Sequence, residues 1–457
     1  MNTPATLKHT IEQDKRYVWH HLTQHNSYKE TDPMIMTKGV GCRVWDAKGN
    51  EYLDATSGGV WCVNVGYGRK SIVDAISQQL QVLNYFAGTA GSIPGAEFAE
   101  KLLNKMPGMS RVFYASSGSE ANEKAFKLVR QISAKKYNGK KYKILYRERD
   151  YHGTTIAALS ATGQSERRNQ YGPFVPGFVE FPHCCEYRNQ FDSKENYGLR
   201  AAQALEDVIL REGPETVGSV VLEPITAGGG VIVPPEGYWQ RISEICKKYD
   251  VLLHIDEVVC GMGRTGKWFG YQHYGIQPDI VTMAKGVASS YAAISCMVTT
   301  EDIFNEFLDD SGDRNGYFRD ISTFGGCTAG PAAALANLKI LEEENLIENT
   351  RKMGDYLLSE LITLQDEFEI IGDVRGKGLI IGIELVKDRK TKIPVSESIA
   401  IKIAAACMSH GLLIGRTNRS FKDYNNTLCL CPMMTITKSE ADKIVEILRL
   451  SLHEVTA

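Results

Sequence analysis

The chain has 457 residues and is 43% hydrophobic and 23% charged, with 52 Lys and Arg against 55 Asp and Glu and a net charge of −3. That balance excludes the electrostatic footprint of a nucleic-acid binder or of a protein drawn to acidic membranes, and no apolar run is long enough to span a bilayer. The size predicts two or three domains and a large core.

The opening stretch, MNTPATLKHTIEQDKRYVWHH, lacks an apolar signal core, so a cytoplasmic protein is expected. Eleven cysteines are scattered without any C-x-x-C spacing. Buried thiols in a reducing compartment are therefore expected, with no metal site. Residues 42–54, CRVWDAKGNEYLD, predict a strand, a turn at Lys48-Gly49-Asn50 and a second strand.

From residue 111 onward, short apolar runs alternate with helical patterns. Strands are expected at 111–115, 142–147, 219–224, 251–259, 279–284 and 293–300. In EANEKAFKLVRQI, Ala121, Ala125, Leu128, Val129 and Ile132 fall on one helical face. Strands alternating with helices imply crossovers and a mostly parallel sheet, and Val- and Ile-rich strands imply helices on both faces. Residues 369–386, EIIGDVRGKGLIIGIELV, read as a Gly-punctuated hairpin between helical segments near 333–345 and 396–409. The expected division is an N-terminal segment, 1–65, a large domain, 66–333, and a C-terminal part, 334–457, the two ends joining in a smaller α+β unit.

Four stretches carry chemistry. SSGSEANEKAFK, 116–127, follows a strand and opens a helix. Gly118 permits close backbone approach, Ser117 or Ser119 can cap the helix, and the free N–H groups suit a phosphate. RDYHGTT, 149–155, places Tyr151 after a strand, where its ring can stack on a cofactor or lie at a surface turn. HIDEVVCGMGRTG, 254–266, puts Asp256 near a strand end, where open α/β folds bind ligands. Gly261, Gly263 and Gly266 spell G-x-G-x-x-G, but the dinucleotide reading requires a helix directly after them, and Gly270, Gly275 and Pro278 break up the next segment. DIVTMAKGVASS, 279–290, ends an apolar strand on Lys285. That lysine is either a snorkelling side chain or an amine nucleophile. An amine for an aldehyde, a carboxylate for a pyridinium nitrogen and a helix start for a phosphate are together the parts that pyridoxal phosphate requires.

The spaced motifs SSGSEA, YHG, LEP, DEV with GMGRTG, and AKG resemble the class III aminotransferases, pyridoxal-phosphate enzymes of fold type I. The resemblance runs from VWDAKGNEYLDATSGG to VRGKGLIIGIEL and the last helix. It implies that Lys285 is the Schiff-base lysine and that Asp256 partners the pyridine nitrogen. It places Val258 and Tyr151 on the two faces of the ring, Ser117, Gly118 and Ser119 at the phosphate, and Glu223 near the cofactor. Thr323, in STFGG, would reach the phosphate of a neighbouring subunit, so a homodimer or homotetramer with its site at the interface is implied. Cys327 and Thr328 depart from the family pattern, as does Ser290 before Tyr291. TSGGVWCVNVGYG, YFRDISTFGGCTAG and LIGRTNRSFKDYNNT resemble the branch that moves the amine of taurine to pyruvate. In that branch Arg416 is expected at the substrate's anion and Trp61 at the amine pocket. Other short ω-amines, β-alanine or hypotaurine, remain open as donors. The alternative from another class is a nicotinamide-dependent oxidoreductase using Gly261, Gly263 and Gly266.

Overall fold

The computed structural model describes residues 4–191, 193–308, 312–417 and 426–456. Three strands open it: β1 Met36–Val40, β2 Arg43–Asp46 and β3 Glu51–Asp54. β2 and β3 form the hairpin expected at 42–54. Its turn is held by Asp46, whose carboxylate accepts N–H bonds from Lys48 and Asn50, both at 2.9 Å.

Seven strands then build the main sheet: β4 Arg111–Ala115, β5 Lys143–Arg147, β6 Phe178–Phe181, β7 Val217–Leu222, β8 Leu252–Asp256, β9 Ile280–Met283 and β10 Ser295–Thr299. Their order is β4-β10-β9-β8-β7-β5-β6. β10 runs antiparallel to both neighbours, and the remaining pairs are parallel. Helices Gly118–Tyr137, Tyr197–Glu212, Tyr238–Tyr249 and Ala329–Glu343 flank it. β7 is buried along its whole length, as a strand covered on both faces must be. On helix Gly118–Tyr137 the five residues of the expected apolar stripe are all buried, and each of the larger ones contributes about 1.5–3 kcal/mol. The expected strand 251–259 is too long. It stops at Asp256, whose side chain accepts the Val258 N–H at 3.0 Å and turns the chain.

The last strands are β11 Ile371–Gly376, β12 Ile381–Asp388, β13 Ile393–Pro394, β14 Leu412–Leu413, β15 Gly415–Arg416 and β16 Thr427–Leu430. β11 and β12 form the second expected hairpin. β14 pairs in parallel with β3, and the Ser57 hydroxyl donates to the Cys431 carbonyl at 2.5 Å across 374 residues of sequence. The two chain ends therefore share one sheet and one core, which includes Leu53, Val63, Leu361, Ile383, Leu412 and Ile444.

No helix among the described residues is long and apolar enough to cross a membrane, and none of their side chains cluster as a metal site. All eleven cysteines are free thiols. Cys62 and Cys327 are only half-buried, so the expectation of uniform burial fails for those two.

Candidate active site

β4, β5, β7, β8 and β9 point the same way, so their carboxyl ends meet along one edge of the sheet. Every central candidate lies there. Ser117, Gly118 and Ser119 follow β4, Tyr151 follows β5, Glu223 follows β7, Asp256 ends β8 and Lys285 stands just past β9. Such an edge is where open α/β folds leave a crevice.

Asp256 is 3% exposed. Burial raises its pKa, but its hydrogen bonds outweigh burial and hold the carboxyl below its ordinary range. His152 Nδ1–H and Asn122 Nδ2–H both donate to Oδ2 at 2.8 Å, and the Val258 N–H donates to Oδ1. Asn122 also donates to the His152 carbonyl at 2.7 Å and accepts from the Thr282 hydroxyl at 2.7 Å. Thr282 in turn meets His254 Nε2 at 3.0 Å. His254 is fully buried, which pushes its pKa down to about 3 and keeps the ring neutral. A connected polar network thus runs beneath one carboxylate. The sequence motifs contain His152, Asn122, Thr282 and His254 but assign none of them a role.

Helix Gly118–Tyr137 is capped by Ser117, whose hydroxyl accepts the Glu120 N–H at 3.2 Å. The first N–H groups of a helix have no intrahelical partner, so those of Gly118 and Ser119 suit an anion. A Cβ on Gly118 would stand 3.0 and 3.1 Å from the Val258 methyls, so the helix start packs directly on Val258. The Ser119 hydroxyl accepts the Thr154 N–H at 3.0 Å, tying the Tyr151 loop to the same helix start. Glu223 is 3% exposed. It accepts the Tyr151 N–H at 2.9 Å and the Ala227 N–H at 3.1 Å. Burial, with Asp150 and Asp256 nearby, raises its pKa well above the ordinary value. The fully buried Arg147 holds Asp150 at 3.0 Å and the Glu223 carbonyl at 2.8 Å, which fixes this strand end.

Lys285 has φ +43°, an unusual backbone for a lysine, and its Nζ lies 5.7 Å from the Trp61 ring centroid. Trp61 reaches it from the N-terminal segment, through a turn in which Gly58 and Gly59 adopt positive φ. Arg264 anchors that segment. Its guanidinium donates to the Asn64 Oδ1 at 2.6 Å, to the Ser57 hydroxyl at 3.2 Å and to the Pro432 carbonyl. Arg264 belongs to the glycine-rich GMGRTG stretch. No helix opens after those glycines; a short 3-10 turn, Gly270–His273, comes next instead. Gly263 and Gly266 have φ +92° and +87° and pack against Ile347 and Arg351. They shape a turn, and the dinucleotide fingerprint is absent.

Arg416 pairs with Glu397 at 3.1 Å. It lines a cavity of about 760 Å³ together with Thr154 and Arg167. Thr323 is exposed on a 3-10 turn, Thr323–Gly326, apart from the cavity lining. In LIGRTNRSFKDYNNT, residues 418–425 lie outside the described residues.

An amine, an ionised buried carboxylate and a glycine-opened helix start on one sheet edge are the donor set that pyridoxal phosphate needs, and these residues fit it. The fold and site define a pyridoxal-phosphate enzyme. The chain belongs to the class-III aminotransferases, whose family model, Aminotransferase class-III, matches residues 24–452. It is 60% identical over 454 residues to the hypotaurine/taurine–pyruvate aminotransferase of Paracoccus denitrificans strain Pd 1222, covering 99% of each chain. It is 61% identical over 435 residues to the taurine–pyruvate aminotransferase of Bilophila wadsworthia, covering 95% of each. Among solved structures, a Bacillus anthracis aminotransferase superposes with TM-score 0.94 at 39% identity over 99% of both chains. The ω-transaminase of Pseudomonas jessenii, in complex with PMP, superposes with TM-score 0.92 at 35% identity over 98% of both. The expected fold class, a fold type I α/β enzyme, is the one observed, and the chain is a pyridoxal-phosphate aminotransferase taking an amine donor and a keto-acid acceptor.

Proposed function

We propose that this enzyme transfers the amine of taurine to pyruvate, releasing sulfoacetaldehyde and alanine in a ping-pong sequence. The observation that carries the chemistry is the placement of Asp256 at the end of one strand and Lys285 just past the end of the adjacent parallel strand. The donor is supported by 60% identity over nearly the whole chain with a hypotaurine/taurine–pyruvate aminotransferase, and by an arginine-lined cavity suited to an anion. Hypotaurine is the second reading, because that relative's name includes it.

When bound, pyridoxal phosphate supplies an aldehyde for amines and a protonated ring that withdraws electrons from the amine-bearing carbon. The chain's residues do the rest. Gly118 and Ser119 bind the phosphate through their N–H groups, with Ser117 holding the helix start. Val258 and Tyr151 flank the ring, and Glu223 fixes the Tyr151 backbone. Asp256, kept ionised by His152 and Asn122, holds the proton on the ring nitrogen. Lys285 Nζ anchors the cofactor and moves a proton off the substrate's amine-bearing carbon. Trp61 walls the amine pocket, and Arg416 takes the sulfonate of the donor or the carboxylate of pyruvate.

The active unit in this reading is at least a homodimer, with Thr323 serving a partner's phosphate. Phe86 and Phe324, 59% and 66% exposed, flank that segment and supply apolar surface for pairing. Eleven free thiols support a cytoplasmic setting.

The test is the visible spectrum of the purified holoenzyme. The cofactor band should bleach on adding taurine and return on adding pyruvate. A band indifferent to taurine but bleached by another short ω-amine would replace the donor and keep the chemistry.

A further inference from the structure

We propose that Asp54 is the positioning residue that sets Trp61 against Lys285 and so fixes the width of the amine pocket; this rests on the reading of Trp61 as a wall of that pocket. The Trp61 ring centroid lies 5.7 Å from Lys285 Nζ. The turn that carries it has an unusual backbone. Ser57, Gly58, Gly59 and Trp61 all have positive φ, at +49°, +83°, +85° and +63°. Glycine adopts that region freely, whereas serine and tryptophan rarely do. Such a backbone persists only where its surroundings hold it.

Packing supplies little of that hold. Among the described residues, a Cβ on Gly59 would meet nothing within 4 Å, Val60 is exposed, and a cavity of about 460 Å³ borders Gly58 and Gly59. The hold is polar and converges on one carboxylate. Asp54 ends β3 and is 2% exposed. Its Oδ1 accepts the Thr56 N–H at 2.7 Å and the Thr56 hydroxyl. Its Oδ2 accepts the Gly58 N–H at 2.8 Å and the Tyr67 hydroxyl at 2.9 Å. Thr56 passes the hold onward: its Oγ1 accepts the Gly59 N–H at 2.9 Å, and its carbonyl accepts the Trp61 N–H at 3.0 Å. Asp54 itself stands on a fixed frame. β3 pairs with β2 on one side and with β14 on the other. Tyr67 packs on Gly39, where a Cβ would stand 2.6 Å from its ring.

Four donors converge on two oxygens, and only a carboxylate accepts at both. An amide of the same shape turns its NH₂ toward the Gly58 N–H or the Thr56 N–H and leaves that donor unpaired in a buried site. The turn then loses its anchor, and Trp61 relaxes out of the left-handed region and away from Lys285. A short amine is held less closely in the wider pocket, and a bulkier one is admitted.

The experiment uses the holoenzyme, with D54N, T56V, Y67F and W61A variants and the doubles D54N/W61A and T56V/W61A. Steady-state kinetics with pyruvate measures kcat and KM for taurine, or for the short ω-amine that replaces it in the spectral test, and for benzylamine, a bulkier primary amine. In D54N, KM for the short amine should rise about tenfold with kcat within about threefold, and kcat/KM for benzylamine should rise about fivefold. The cofactor Kd, from fluorescence titration, should stay within about twofold of wild type. Y67F removes one donor of the four and should move the same quantities the same way, by about threefold or less. In the W61A background, D54N should change either KM by no more than about twofold, because a residue acting through Trp61 has nothing left to act on. If D54N does not fold, T56V, which breaks the same chain of bonds one step on, carries the same expectations alone and with W61A. An effect of D54N, or of T56V in its place, that persists undiminished in W61A would overturn the inference, as would wild-type KM values in the single variant. A W61A variant that handles both amines as the wild type does would instead overturn the reading of Trp61 as the pocket wall.

Discussion

Replacing His152 by alanine removes one of the three donors that hold Asp256 ionised. The bond is charge-assisted, 2.8 Å long and buried. Such a bond contributes about 1.5–3 kcal/mol, or about 1–2 pKa units. In the intact network, hydrogen bonding outweighs burial, and the Asp256 pKa is lowered. With His152 gone, less opposes burial, and the pKa rises by that amount. The negative charge of Asp256, which in the proposed mechanism holds the ring proton, is then lost at a pH about 1–2 units higher than in the wild type, as pH falls. Stopped-flow bleaching of the cofactor band by taurine, from about pH 7 down to about pH 4, reads this directly. The acid limb of the rate profile should move up in His152→Ala, with cofactor affinity falling about tenfold. His152→Asn keeps a side-chain N–H donor and should move the limb less than half as far. An alanine variant with the wild-type profile and affinity would refute the claim that His152 acts through Asp256.

The same geometry sets other outcomes. Lys285→Ala should abolish turnover, measured as alanine formed from pyruvate and taurine; substantial residual activity would remove Lys285 from the mechanism. Gly118→Ala puts a methyl 3.0 Å from Val258, so the valine must yield by a few tenths of an ångström. Cofactor affinity, followed by fluorescence titration of the apoenzyme, should fall about tenfold. Adding Val258→Ala should restore most of it. His254 is neutral when folded, with a pKa near 3, and takes a proton on unfolding below about 6.5. The folded state therefore loses stability as pH falls from about 6.5 toward 3, by about 1.4 kcal/mol per unit for this one group. In His254→Gln, the difference between urea unfolding free energies at about pH 5 and pH 7 should shrink accordingly. Glu397→Gln should release Arg416 and lower the Kd for ethanesulfonate two- to fivefold, read by calorimetry.

The parts of the main sheet that are legible in the chain share one property. β5, β7, β8 and β9 are short apolar runs bounded by turn residues, and burial on both faces makes such runs continuous; β4, an edge strand with only Ala115 buried, is legible from its run of apolar residues alone. β6, Phe178–Phe181, is a short edge strand carrying an exposed residue, and it leaves no comparable run. The strand through Asp256 reads too long in the sequence, because Val258 and Val259 just beyond it look like strand; only the side-chain bond from Asp256 to the Val258 N–H reveals the turn. Asp256 and Lys285 stand out as charged groups at the ends of apolar strands. Asn122, Thr282 and His254 do not, since each sits inside a helix or strand pattern and acquires its partner only when the strands and the helix come together. Trp61 and Arg416 are placed by resemblance, and the fold brings the one to Lys285 and the other to the cavity.

The bond from Ser57 to the Cys431 carbonyl, and the pairing of β3 with β14, have a consequence for the birth of the protein. A ribosome adds about 5–20 residues per second, so the 374 residues between Ser57 and Cys431 take roughly 20–75 seconds to appear. Throughout that interval the first hairpin and the turn bearing Trp61 lack the strand that completes them. The main sheet can collapse around its own core first, whereas the turn that sets Trp61 beside Lys285 waits for the last tenth of the chain. Loss of a short C-terminal segment should therefore unseat Trp61 at the opposite end of the sequence, and nascent chains stalled before β14 should expose β3 to any partner that binds unpaired strands.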